Sequence, residues 1–166
     1  MKKLIFAGIL IAGFSFGANA QLISKNAIGL RLGDSNGFGA EISYQRAVGG
    51  DNNRLELDLG IRDDEHFNAV QLTGIYQWVW NIEGGFNWYL GPGVGLGFYN
   101  FDDDHDFPGN DDDPSETYAF VAGDIGIEYN FDFPLLLSLD FRPEFGFDDY
   151  GDDVDFDIGL GVRYQF

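Results

Sequence analysis

The sequence predicts an all-β protein, an eight-stranded antiparallel up-and-down transmembrane β-barrel behind a short export segment. Three observations predict it. Hydrophobicity repeats every second residue in eight separate runs, which is the period of a strand and not of a helix. Many runs are nine residues or longer, the length a tilted strand needs to cross a bilayer. Their number is even, as expected of an up-and-down membrane barrel.

Residues 1–20 are set aside first. Lys2 and Lys3 form a charged start, residues 4–16 are apolar with small residues among them, and Ala18-Asn19-Ala20 is a small-x-small triplet. This is the pattern of a cleaved secretory signal, and the apolar run is short for a membrane helix. The barrel is then assigned to residues 21–166. The chain has no cysteine, which excludes a lipidated cysteine, a disulfide framework and thiolate metal sites. Without Lys2 and Lys3, 7 basic residues face 28 acidic ones. Such a balance excludes nucleic acid as a partner, because phosphates would be repelled. An aromatic content of 17% argues against disorder.

The runs follow in order. The first two cover 26–33 and 37–47. The third, 54–62, sets Leu55, Leu57, Leu59 and Ile61 against Arg54, Glu56, Asp58, Gly60 and Arg62. The fourth and fifth cover 67–80 and 87–99. The sixth, 117–131, is apolar on both faces between Tyr118 and Val121, where a bulge is expected. The seventh, 135–147, alternates Leu135, Leu137, Leu139 and Phe141 with Ser138, Asp140, Arg142 and Glu144. The eighth, 154–166, alternates Val154, Phe156, Ile158, Leu160, Val162, Tyr164 and Phe166 with Asp155, Asp157, Gly159, Gly161, Arg163 and Gln165.

A soluble barrel would bury the apolar face, whereas a membrane barrel turns it outward. Three features favour the second. Short connections (48–52, 81–86, 132–134) alternate with variable acidic ones (63–65, 102–116, 148–152), although 34–36 is short on the acidic side. Membrane barrels have tight periplasmic turns and longer outer loops. With both termini periplasmic, Trp78, Trp80, Trp88, Tyr44, Tyr164 and Phe166 fall at that end of their strands, and Phe38, Phe98, Phe147 and Phe156 near the other. Two aromatic girdles suit two membrane interfaces. Finally, Tyr164 and Phe166 share the outward face of the last strand, as an assembly signal would.

The lumen would then receive Arg31, Arg54, Arg62, Arg142 and Arg163 with Glu41, Glu56, Asp58, Asp124, Glu128, Asp140, Glu144, Asp155 and Asp157. Both signs are present, so arginine–carboxylate pairing is expected, in a bore just wide enough for side chains. That gives a closed plug, with a narrow cation-preferring pore as the alternative because acids exceed arginines. Gly91, Gly93, Gly95 and Gly97 alternate with Pro92, Val94 and Leu96. This is small-residue spacing within a strand and lacks the strand-turn-helix context of a phosphate loop. Pro92 and Pro143 have no N–H for the ladder and are expected at bulges or strand ends.

The signal, residues Trp88 to Tyr99 and the closing Gly159-Leu160-Gly161-Val162-Arg163-Tyr164-Gln165-Phe166 resemble the porin-family outer-membrane β-barrel domain. That group is similar to the small barrels of outer membrane proteins A and X. The resemblance implies a monomer in outer-membrane lipid and lipopolysaccharide, inserted by the barrel-assembly machinery. No peptidoglycan-binding domain is expected to follow, because the sequence stops at the barrel.

Asp102, Asp104, Asp106, Asp111, Asp112 and Asp113 crowd one outer connection. Its plain reading is a solvated loop. Its functional reading is a Ca²⁺ or Mg²⁺ site, since hard cations want several carboxylate oxygens. The full EF-hand pattern is absent: Phe107 stands where glycine is required and Asp113 where glutamate is. No other cofactor is expected. A lipid A-modifying enzyme would have to use His66 or His105 with Ser35 or Ser115, and nothing marks either serine as a nucleophile. Passage of a small hydrophobic solute would require an apolar lumen.

Overall fold

The computed structural model describes residues 23–33, 38–49, 52–64, 67–101, 115–147 and 154–166. The strands are β1 (Asn26–Leu32), β2 (Ala40–Val48), β3 (Asn53–Asp64), β4 (Phe67–Glu83), β5 (Phe86–Phe101), β6 (Ser115–Asn130), β7 (Leu135–Phe147) and β8 (Val154–Gln165). Each pairs antiparallel with its sequence neighbours, and β1 pairs with β8, so the sheet closes into a barrel. Closure removes the open edges that would leave backbone groups unpaired.

The registers set the stagger of the barrel. A row from Ala27 through Gln45, Glu56, Ile75, Gly93, Ala122 and Glu144 reaches Asp155 on β8. Ala27 pairs directly with Gln165, ten residues further along β8 (165 − 155). Stagger and strand number together fix a tilted, narrow barrel.

Alternation puts apolar side chains on the outside all the way round. Leu30, Ile42, Leu57, Leu72, Val94, Ile125, Leu139 and Leu160 are all exposed. Polar and charged groups turn inward. Arg31, Arg142 and Asp58 are each 0% exposed, an inversion of the usual soluble core. At the end where β1 begins and β8 finishes, Trp78, Trp80, Trp88, Tyr164 and Phe166 are exposed, with Trp80 stacked on Trp88 at 4.4 Å. Tyr44 at that end is half-buried and donates to Asn26 Oδ1 at 2.8 Å. Phe98, Phe147 and Phe156 are exposed towards the other end.

Four local expectations change. The second run starts at Ala40, not 37, and Phe38 leaves the outer girdle: it is 6% exposed. Gly60 makes room for it, since a Cβ there would meet the Phe38 ring at 2.8 Å. The turn expected over 81–86 shrinks to Gly84 and Gly85 as β4 and β5 extend. Gly84 takes φ 55 there, which glycine accommodates without strain. The sixth run has no bulge against β5, pairing without a shift from Tyr129 to Ser115. Its two apolar faces arise because Tyr118 and Phe120 point inward, over Gly97 and Gly95. Lastly, Pro92 and Pro143 sit within β5 and β7, and the register is the same on either side of each. Beside them the ladder is interrupted at Tyr76–Gln77 and at Gly123–Asp124, where the missing proline N–H would have paired. Among the described residues, the one register shift lies between Asn81 and Glu83.

Candidate functional site: the charged lumen

Strand parity carries every lumen residue to its place, because each wall strand contributes alternate side chains to the bore. At the terminus end a collar of amides comes first. Asn81 Nδ2 donates to Asn87 Oδ1 at 2.8 Å, Asn87 Nδ2 to Glu128 Oε1 at 3.0 Å, and Gln165 Nε2 to Asn130 Oδ1 at 2.6 Å.

Above the collar lie Arg54 and Arg163. Arg54 Nη1 pairs with Glu128 Oε2 at 2.6 Å, Nε donates to Gln77 Oε1, and the guanidinium carbon stands 4.8 Å from the centre of the Tyr89 ring. Such stacking suits a planar cation. Arg163 spreads its donors over Ser43 Oγ (2.8 Å), Ser138 Oγ (2.7 Å) and Glu56 Oε1 (3.0 Å). Gln45 and Gln77 donate to the other oxygen of Glu56.

The middle of the bore is the most crowded. Arg31 Nη1 bonds Glu41 Oε2 at 3.0 Å and Asp157 Oδ2 at 2.6 Å, and its Nε reaches Asp140 Oδ1 at 2.9 Å. Arg142 meets four carboxylates: Asp58 at 2.8 Å, Glu56 at 3.3 Å, Glu41 at 3.6 Å and Asp124 at 3.9 Å. Towards the loop end the lining becomes aromatic. Tyr118 stacks on Tyr99 (5.4 Å) and Phe120 (5.9 Å) and donates to Gln71 Oε1 at 2.6 Å, with buried Phe38 at the same end.

Of the residues assigned to the lumen, Arg31, Arg54, Arg142, Arg163, Glu41, Glu56, Asp58, Asp124, Glu128, Asp140 and Asp157 form this connected cluster. Glu144 is buried on the same wall, and Arg62 and Asp155 are half-buried towards the loop end. Among the described residues, four buried arginines face eight buried acids, namely Glu41, Glu56, Asp58, Asp124, Glu128, Asp140, Glu144 and Asp157. Sequence reasoning missed the neutral members Ser43, Gln45, Gln77, Asn87 and Asn130. Their signal was available, since each occupies an inward position of its run. Charge alone had drawn the list.

Asp102, Asp104, Asp106, Asp111, Asp112 and Asp113 lie outside the described residues, as do His66, His105 and Ser35. Ser115 begins β6. Among the described residues no group of three or more His, Asp or Glu is arranged to hold a metal ion.

No family model matches the chain, and no curated protein does. Two solved structures are similar in fold. Neisserial surface protein A (NspA) aligns at a TM-score of 0.57 with 16% identity, covering 85% of this chain and 93% of that one. Ail, the attachment invasion locus protein of Yersinia pestis, aligns at 0.47 with 17% identity, covering 86% and 97%. The closed eight-strand sheet and the likeness to NspA give the chain the fold of the small eight-stranded outer-membrane β-barrels.

Proposed function

We propose that the protein is an integral outer-membrane barrel that serves as a closed surface scaffold and carries no catalytic activity. The observation behind this reading is the inside-out distribution of polarity: an apolar exterior around a bore filled by paired charges. A closed barrel is one of only two ways a chain can satisfy its backbone in lipid. A bore crossed by arginines at hydrogen-bond distance from opposite walls has no room for a hydrated ion. Residues 1–20 act as the cleaved export signal, and Tyr164 and Phe166 supply the outward aromatic pair of β8 read by the barrel-assembly machinery. The protein stands as a monomer among outer-membrane lipid and lipopolysaccharide.

The first test is gel mobility of the outer-membrane fraction. An intact barrel runs at a different position before and after boiling, and identical positions would overturn the reading. In planar bilayers the closed scaffold gives no conductance steps. The narrow cation-preferring pore is the second reading, favoured by the excess of buried acids over buried arginines, and cation-selective steps would establish it in place of the scaffold.

The acidic outer connection extends this proposal to divalent cations. Asp102, Asp104, Asp106, Asp111, Asp112 and Asp113 offer carboxylate oxygens suited to Ca²⁺ or Mg²⁺, which would relieve repulsion between this rim and anionic lipid headgroups. Titration calorimetry of the purified barrel with CaCl₂ is expected to show binding that disappears when these six residues become asparagine. No heat at millimolar Ca²⁺ would remove the cation site and leave the scaffold standing.

A further inference from the structure

After residue 20 the chain has 7 basic residues. Arg31, Arg54, Arg142 and Arg163 are buried in the bore, and Arg62 is half-buried towards the loop end. The two that remain, Lys25 and Arg46, stand on adjacent strands at the opposite end of the barrel. Asn26 pairs with Arg46 across the β1–β2 ladder, and Ala47 N donates to Lys25 O at 2.9 Å. Both residues are exposed, and among the described residues no carboxylate forms an ion pair with either. The described acids of this rim, Glu83 and Asp132, lie at the β4–β5 and β6–β7 connections, whose strands pair with neither β1 nor β2.

Arg46 shares the parity of Tyr44 and Val48, so it faces outward, while Gln45 beside it is 3% exposed and faces the bore. Among the described residues, it is the one cation at an outward position of the eight strands. The girdle sets its depth. Tyr44 lies two residues before it on the same face. Leu55, the β3 partner of Arg46, pairs in turn with Tyr76, which meets Trp78 edge-on at 5.4 Å. Such rings settle at the headgroup level of a bilayer. A guanidinium there keeps its stem over the apolar wall and its charge among the headgroups. Phosphate suits it, because the planar fork can meet two phosphate oxygens with parallel N–H donors.

We propose that Arg46 and Lys25 form a binding site for the phosphate of an anionic phospholipid in the periplasmic leaflet. The acyl chains of that lipid lie over Ile28, Ile42 and Leu57, all exposed on the same wall. A zwitterionic phospholipid carries its own ammonium close to its phosphate, so two cations attract it less than a lipid of net negative charge. The barrel is thereby polarised along its axis. The acids of 102–116 repel anionic headgroups at one end, and the cationic pair of β1 and β2 retains them at the other. This site rests on the outer-membrane reading, which puts the wall in lipid and this end in the periplasmic leaflet.

The test uses the purified barrel folded into phosphatidylcholine vesicles that contain phosphatidylglycerol and phosphatidylethanolamine in equal amounts. The protein is extracted in a mild non-ionic detergent, and the lipids it retains are weighed by native mass spectrometry. Wild type is expected to retain phosphatidylglycerol in preference to phosphatidylethanolamine. Arg46→Gln should weaken that preference about fivefold, the usual worth of one Lys or Arg at an anionic membrane surface. The double variant Lys25→Gln, Arg46→Gln should abolish it. Equal retention of the two lipids by wild type, or an undiminished preference in Arg46→Gln, overturns the site. Both substitutions fall on exposed residues, so the variants should keep the boiling-dependent gel shift of wild type. A wild-type protein without that shift would overturn the outer-membrane barrel itself, which keeps the two failures distinguishable.

Discussion

Replacing Arg142 by methionine is expected to cost about 3–5 kcal/mol of folding stability, the usual consequence of removing one partner from a buried ion pair. Arg142 is 0% exposed and faces Glu41, Glu56, Asp58 and Asp124 from the middle of β7. Methionine fills much of the same space but leaves those four carboxyl groups with one fewer cation in a bore walled by apolar surroundings. Lysine should rescue only part of the loss. It restores the charge but lacks the planar fork that turns Nη2 to Asp58 and Glu56 while Nη1 faces Glu41 and Nε faces Asp124. Urea titrations of folding into lipid vesicles, read by gel mobility, measure the difference. If Arg142→Met unfolds at the wild-type urea concentration, the lumen cluster is not what holds the walls together. Arg62→Met provides the comparison, since Arg62 is half-buried near the loop end, and a smaller loss is expected there.

The fold was legible because strand parity in a barrel is a one-dimensional signal. Val154 to Phe166 alternates faces along its whole length, and β8 does the same in space. The charged lumen residues were legible for the same reason, each being the inward member of its alternation. Which arginine meets which acid was not. Arg31 reaches Asp140 across 109 positions of sequence and Asp157 across 126, and those meetings depend on stagger, which no single run encodes. Phe38 was misassigned because an aromatic ring at a strand end suits either a girdle or an inward cap. The space left by Gly60 on the neighbouring strand decides between them. The continuous β6 was hidden similarly. Tyr118 and Phe120 look like a disturbed alternation until Gly97 and Gly95, opposite them on β5, are seen to leave space for their rings. The prolines misled for a different reason. A tilted, closed wall keeps its register when a single ladder bond is missing, so Pro92 and Pro143 are accommodated mid-strand.

Placing arginine at Leu160 is expected to destabilise the barrel by about 2–4 kcal/mol in bilayers, as charged substitutions near the midplane of a lipid-facing wall do. Leu160 is 47% exposed on the outer face, paired with Leu32 on one side and Leu139 on the other. The prediction separates the two possible surroundings of that face. In water, an arginine replacing an exposed leucine would cost almost nothing, since surface substitutions generally stay within about 0.5 kcal/mol. In lipid, the guanidinium must either reach an interface or draw water into the hydrocarbon. Leu160→Phe keeps the position apolar and controls for shape. The measurement is again equilibrium folding into vesicles, repeated in micelles of a short-chain detergent, where a thinner apolar layer should shrink the arginine penalty. Equal stability of Leu160→Arg and wild type in vesicles would mean that the apolar face does not meet lipid. The inside-out polarity of this barrel would then need another partner to cover it.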